Sequence, residues 1–235
     1  MMVLIITIVV AGCSTGEDGK KAVPHSNNNE YSQNFIIIDS SAYSKLVVYD
    51  PWQGAENTAF TYYISDSFSD LPQGIDRSKV IIRPAEKIVC TSTTHIAFLD
   101  TLAATEKIKA VSGSDYIYDN NLRERIRSGE VADIGHANGY NTEMIYNINP
   151  DVVLVYGVGS ESASIFSRLI ELGIPVLFVA DYIESHPLAR TEWIKVFGEI
   201  TGRRELADSI FSAVVSEYTK TRDHVNDTGS AGPLV

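Results

Sequence analysis

The chain has 235 residues, 44% hydrophobic and 21% charged, with a formal net charge of −11 at pH 7. That is the composition of a folded globular protein with enough chain for one large domain or somewhat more. The acidic balance argues against nucleic acid as a partner, because phosphate binding needs a cationic surface.

In chain order, the first feature is the uncharged apolar run Val3–Val10, followed by Ala11-Gly12-Cys13 and at once by polar Ser14-Thr15-Gly16-Glu17-Asp18. A run this short, ending in small residues, predicts an export signal rather than a membrane span, which needs about 20 apolar residues. Val10-Ala11-Gly12-Cys13 resembles a bacterial lipoprotein lipobox. The resemblance implies a signal over residues 1–13 and lipidation of Cys13. Several acyl chains hold a protein on a membrane where one would not. The expected location is therefore periplasmic or at the cell surface, lipid-anchored to a bacterial membrane. The competing reading makes the run a buried strand and Cys13 a core thiol. Residues 14–30, Asn-rich at Ser26-Asn27-Asn28-Asn29, read as a flexible tether. With Cys13 lipidated, Cys90 stands alone, so neither a disulfide framework nor a thiolate metal site is available. Its setting in Lys87-Ile88-Val89-Cys90 predicts a buried strand thiol.

Residues 31–190 are expected to form an α/β lobe. Phe35–Ile38, Lys45–Tyr49 and Phe60–Ile64 are strand-like and separated by turn residues, with Asp50-Pro51-Trp52-Gln53-Gly54 between the last two. Close spacing without helices predicts antiparallel pairing. From residue 80 the rhythm changes. Strands at Lys87–Cys90, Ala110–Ser112, Val152–Tyr156 and Val176–Val179 alternate with helical spacing over Thr94–Ala104, at Met144, Ile145 and Ile148, and over Ser162–Leu172. Ile165, Leu169 and Leu172 form the expected stripe of the last helix. Alternation of this kind predicts βαβ units and a mainly parallel sheet flanked by helices. Trp193, Val196 or Phe197, Ile200, Leu206, Ile210, Val214 and Tyr218 continue at helical intervals, giving a long helix over 191–222 that Gly202 interrupts or hinges. Residues 223–235 carry no pattern and read as a disordered tail.

From Lys87 to Phe211 the chain resembles the extracytoplasmic substrate-binding proteins of ABC importers for iron–siderophore complexes, haem and cobalamin. Three segments carry the likeness: Lys87–Thr94, a strand entering a polar helix start; Asn141-Thr142-Glu143-Met144-Ile145 with Asn149-Pro150-Asp151-Val152-Val153-Leu154; and Glu184–Lys195, reading E-S-H-P-L-A-R-T-E-W-I-K. The resemblance implies two α/β lobes joined by a rigid helix, with ligand between them. This sequence is expected to supply the N-terminal lobe and most of the interlobe helix, the C-terminal lobe being absent.

Ligands of parallel α/β sheets sit beyond the carboxyl ends of the strands. The candidates are therefore Thr91, Ser92, Thr93 and His95 after the first strand, and Asp115 and Tyr116 after the second. His136, Asn138 and Tyr140 lie in the next loop, and Tyr156 and Tyr182 follow the last two strands, Tyr182 next to Asp181. Aromatic rings can lie flat on a large planar ligand and still hydrogen-bond at the tip, and His95 or His136 could reach a bound metal. Ser92 or Thr93 equally suits a helix N-cap. The resemblance gives Glu143 a role in docking to the permease; as a plain helix residue it would complement the dipole of its first turn. Trp193 is expected to pack the lobe against its helix, and Arg190 and Glu192, close to Lys195, to make a structural ion pair or line the cleft, with structure favoured.

The expected function is a substrate-binding lipoprotein that captures a ferric siderophore, cobalamin or haem and presents it to an ABC permease and its ATPase, with no catalysis and no cofactor of its own. No phosphate-binding Gly-rich loop, no nucleophile with a matching base and no zinc-type His spacing is present in the sequence. The alternatives are an exported chelatase-like enzyme acting on a tetrapyrrole or metal substrate, and an adhesive surface lipoprotein.

Overall fold

The structure is a computed structural model that describes residues 29–136, 139–157 and 161–227. The lipobox with Cys13 and the candidate Asn138 lie outside the described residues.

Two sheets organise the fold. In the first, β1 (Phe35–Asp39), β2 (Tyr43–Tyr49) and β3 (Ala59–Ser65) pair antiparallel, with Ile37 opposite Leu46 and Leu46 opposite Tyr62. A short strand that the sequence did not announce, β4 (Val80–Ile82), joins β3 in parallel. The second sheet holds β5 (Ile88–Cys90), β6 (Ile108–Val111), β7 (Ala132–Asp133), β8 (Val152–Val155) and β9 (Val176–Phe178). All its pairings are parallel, and the order is β7-β6-β5-β8-β9. Four helices connect these strands: α1 (Thr93–Thr101), α2 (Asn120–Arg127), α3 (Thr142–Ile148) and α4 (Glu161–Glu171).

Strands β5, β8 and β9 are apolar throughout because both of their faces are covered. Ile88 and Cys90 of β5, with Val152 and Leu154 of β8, belong to one core with the first sheet. The intervening Val89, Val153 and Val155 belong to another with Phe166 and Leu169 of α4. Successive strand residues point to opposite faces, so one four-residue run supplies both cores. In α4 the buried ridge is Phe166 and Leu169, while Leu172 is 43% exposed. This corrects the expected stripe: the helix ends at Glu171, and Leu172 falls in the turn before Gly173 (φ +79°).

At the C-terminus the helical stretch over 191–222 is divided at Gly202 into α6 (Ile194–Thr201) and the long α7 (Arg204–Asp227), and a short α5 (Pro187–Glu192) precedes them. Gly202 (φ +71°) ends α6 in the left-handed conformation that glycine adopts without cost. Helix α7 continues through residues 223–227, part of the expected tail. Its approach to α6 requires Gly198, where an added Cβ would lie 2.5 Å from the Ala207 Cβ. At the same junction the buried Glu199 carboxylate receives Arg83 at 2.8 Å and Arg204 at 2.9 Å.

The E-S-H-P-L-A-R-T-E-W-I-K segment is structural. Glu192 is fully buried and accepts the backbone N–H groups of Glu30, Tyr31 and Ser32 at 2.8, 2.9 and 2.8 Å, while Lys195 Nζ pairs with it at 2.8 Å. Glu184 accepts the Ser32 hydroxyl, the Asn34 N–H and, at 3.2 Å, the Trp193 indole N–H. Residues 29 and 30, expected in the tether, are therefore held: Asn29 Nδ2 donates to the Phe35 carbonyl and Glu30 to Glu192. Arg190 donates to the Glu184 carbonyl. Asp151 of the P-D-x-V run accepts the N–H groups of Glu86 and Lys87 at 2.7 and 2.9 Å, which fixes the entry into β5.

Candidate functional site

The strand order reverses at β5: the chain moves outward through β6 and β7, then crosses back so that β8 pairs with the other side of β5. In such sheets the crevice for a ligand opens at this switch point, beyond the carboxyl ends of the two central strands. Thr91 leaves β5 there and Tyr156 leaves β8, and the Tyr156 N–H donates to Thr91 Oγ1 at 2.8 Å. The half-buried Tyr140 brings its hydroxyl within reach of Thr91 and Ser112, and its ring packs on Phe166 at 5.1 Å. Burial raises the Tyr140 phenol above its usual range and the two hydroxyls partly offset this, so the ring stays neutral and able to donate.

Two aromatic pairs flank this centre. On the β6–β7 side, Tyr116 (65% exposed) meets the exposed His136 edge to face at 5.9 Å. Gly113 (φ +70°) permits the contact, since a Cβ there would lie 2.9 Å from His136 Cε1 and 3.1 Å from Tyr116 Cδ2. Asp133 ties the two loops by accepting the N–H of Ser114 at 3.1 Å and of Gly135 at 2.9 Å. Burial alone would raise its pKa, but the Ser114 hydroxyl together with the Gly135, Ser114 and Gly113 N–H groups outweighs it and lowers it. On the β8–β9 side, Tyr156 and Tyr182 lie 4.7 Å apart. The Tyr182 hydroxyl donates to the Gly157 carbonyl at 2.6 Å and accepts the Gln53 N–H at 3.3 Å.

The remaining candidates divide. Ser92 is the N-cap of α1, its Oγ accepting the Thr94 N–H at 3.2 Å. Thr93 and Asp115 are exposed on the same rim. His95 does not join them. It is fully buried on the inner face of α1, 6.1 Å from the Phe197 ring, because its spacing with Ile96 and Leu99 turns it into the core. Neither ring nitrogen makes a hydrogen bond, although the Leu154 carbonyl lies near. Burial lowers its pKa to about 3, so it is a neutral core residue and its expected reach to a bound metal is corrected. Among the described residues no group of three or more His, Cys, Asp or Glu is placed to hold a metal ion. Glu143 is exposed in the first turn of α3, whose N-cap Asn141 accepts the Met144 N–H at 2.9 Å. Because α3 leaves the β7 end of the rim and runs back to the start of β8, Glu143 stands at the periphery of this same edge. Cys90 is fully buried, and burial pushes its thiol up.

Sequence reasoning passed over Ser112, whose hydroxyl donates to the Gly135 carbonyl at 2.7 Å beneath the site, and the Trp52-Gln53 loop, which Tyr182 draws to the rim from the other sheet. Asp181, beside Tyr182, is only 7% exposed and its Oδ1 has no hydrogen-bond partner. Burial pushes its carboxyl up to about 6, the nearby Glu184 adds to this, and backbone N–H groups and Arg190 offset part of it.

Residues 88–231 match the family described as Periplasmic binding protein. An uncharacterized lipoprotein of Methanocaldococcus jannaschii is 24% identical over 254 residues, covering 94% of this chain and 60% of the relative. A second uncharacterized lipoprotein of that organism is 30% identical over 210 residues, covering 87% of this chain and 47% of the relative. The chain thus spans about half the length of the curated relatives it matches. Among solved structures, a periplasmic binding protein from Veillonella parvula superposes with a TM-score of 0.52 at 12% identity, over 85% of this chain and 58% of that one, a likeness of fold alone. No helix among the described residues is long and apolar enough to cross a membrane.

Proposed function

This chain belongs to the periplasmic binding protein family, and on that premise we propose that it captures a bulky metal chelate at the carboxyl edge of its parallel sheet and presents it to an ABC permease with its ATPase. One observation carries the reading: Thr91, Tyr140 and Tyr156 meet at the switch point, flanked by the Tyr116–His136 and Tyr156–Tyr182 pairs. Phenols and hydroxyls grouped in this way suit a large ring system that needs flat contact and a few fixed hydrogen bonds. In this reading the site holds its ligand rather than turning it over. Glu143, exposed at the edge of the rim, is the group we assign to permease docking; a surface ion pair adds little affinity but sets orientation and speeds encounter. Lipidation at Cys13 would keep the protein outside the cytoplasm beside its permease.

The ligand is one of three classes: ferric siderophore, cobalamin or haem. Titrating the chain with ferric enterobactin, cyanocobalamin and haem while following intrinsic tyrosine and tryptophan fluorescence tests the proposal. Saturable quenching by one of them, weakened about tenfold or more in Tyr156→Ala, is expected. Absence of saturable binding by all three would contradict it.

A further inference from the structure

The family match begins at residue 88, yet part of the rim comes from before it. The loop joining β2 to β3 belongs to the antiparallel sheet and reaches across to the end of β9. Two contacts hold it there. The Trp52 ring packs on Phe178, the last residue of β9, at 5.6 Å, and on Phe60 at 6.0 Å. The Gln53 N–H donates to the Tyr182 hydroxyl, which in turn donates to Gly157 beyond β8. Within the loop, Asp50 and Thr58 close its base: the Asp50 N–H donates to the Thr58 carbonyl at 2.8 Å and the Thr58 N–H to Asp50 Oδ1 at 2.9 Å. The Tyr182 phenol and the Trp52 ring therefore rivet the hairpin loop to the switch-point rim.

Between loop and rim lies an open hollow of about 410 Å³, lined by Asn34, Asp50, Trp52, Gln53, Tyr182 and Ile183 among others. It shares Tyr182 with the Tyr156–Tyr182 pair, so it continues the candidate site rather than standing apart from it. Its lining is an indole, a phenol, two carboxamides and one carboxylate, with no lysine or arginine. Such a wall accepts hydrogen bonds from N–H and O–H groups and offers amide donors in return. It gives an anionic group no cation to meet and sets the Asp50 carboxylate against it.

We propose that the β2–β3 loop forms the outer wall of the ligand site, and that this hollow takes a neutral, carboxamide- or hydroxyl-bearing edge of the ligand in preference to an anionic one. The inference rests on the receptor reading and narrows it, since among the three ligand classes it selects the one with a neutral amide periphery. Gln53 is exposed and contributes only its backbone N–H to the rivet, so Gln53→Lys places a cation in the wall without disturbing the fold. Asp50 sits at φ +42°, a conformation asparagine tolerates, and Asp50→Asn keeps the oxygen that accepts the Thr58 N–H.

The test measures equilibrium affinity of the chain and both variants for cyanocobalamin, haem and ferric enterobactin, with thermal melting as the check on folding. The expected result is tightest binding of cyanocobalamin by the unmodified chain. Gln53→Lys is expected to weaken it about tenfold and to strengthen binding of the dicarboxylate haem, and Asp50→Asn to move the same way by less, with melting unchanged. Tightest binding of haem or ferric enterobactin by the unmodified chain, or affinities for a bound ligand that neither variant alters, would overturn this inference while leaving the receptor reading in place. If none of the three binds, both fall.

Discussion

Two buried titratable side chains act on stability with opposite signs over overlapping pH windows. Asp181 has a folded-state pKa of about 6 against an ordinary value of 3.8. Between those values the folded state holds a proton that the unfolded chain has released, so stability falls as pH rises through the window and the cost persists above it. Asp181→Asn keeps an oxygen for the neighbouring N–H groups and removes the charge. Chemical denaturation should find the variant more stable at pH 8 by on the order of 2–3 kcal/mol and nearly equal to the parent at pH 4. His95 acts the other way. Its folded pKa of about 3 lies below the ordinary 6.5, so its contribution is intact above 6.5 and is lost as pH falls toward 3. His95→Leu, which leaves no buried nitrogen without a partner, should lower the acid-unfolding midpoint measured by circular dichroism. Unchanged acid unfolding would mean that the imidazole is not excluded from water.

At the scale of elements, short apolar strands and helix stripes were readable because burial on both faces demands uninterrupted Val, Ile and Leu, as in Val152–Val155. What escaped reading was what carries little such pattern. Strand β7 has two residues, β4 three, and α2 buries only Leu122 among Asn, Arg and Glu. The break at Gly202 was legible as a glycine; that it makes two helices pack side by side was not, because the close approach of Gly198 to Ala207 is a tertiary fact. Gly198→Ala gains about 1 kcal/mol of helix propensity yet forces a Cβ to within 2.5 Å of another. The net expectation is a loss of about 1–3 kcal/mol in a urea titration, and a stabilised variant would show that α7 is free to move away.

At the scale of the whole molecule, the shared position of the candidate residues was legible wherever topology alone fixes it. Thr91, Tyr116, His136, Tyr140, Tyr156 and Tyr182 follow the carboxyl ends of parallel strands and lie on one edge. His95 failed because its direction depends on helix phase rather than on strand order. The Trp52-Gln53 loop failed because it comes to the rim from another sheet, over a sequence distance that no local pattern spans. The opposite edge of the sheet presents a different surface, a cavity of about 540 Å³ where the exposed Phe68, Tyr146 and Leu172 meet. The two edges can be told apart in one experiment. Hydrogen–deuterium exchange with and without a saturating chelate ligand should slow exchange in residues 91–93, 112–116, 156–157 and 181–183 and leave the neighbourhood of Phe68, Tyr146 and Leu172 unchanged. Protection confined to that second edge, with the carboxyl-end loops exchanging as before, would contradict the placement of the ligand at the switch point.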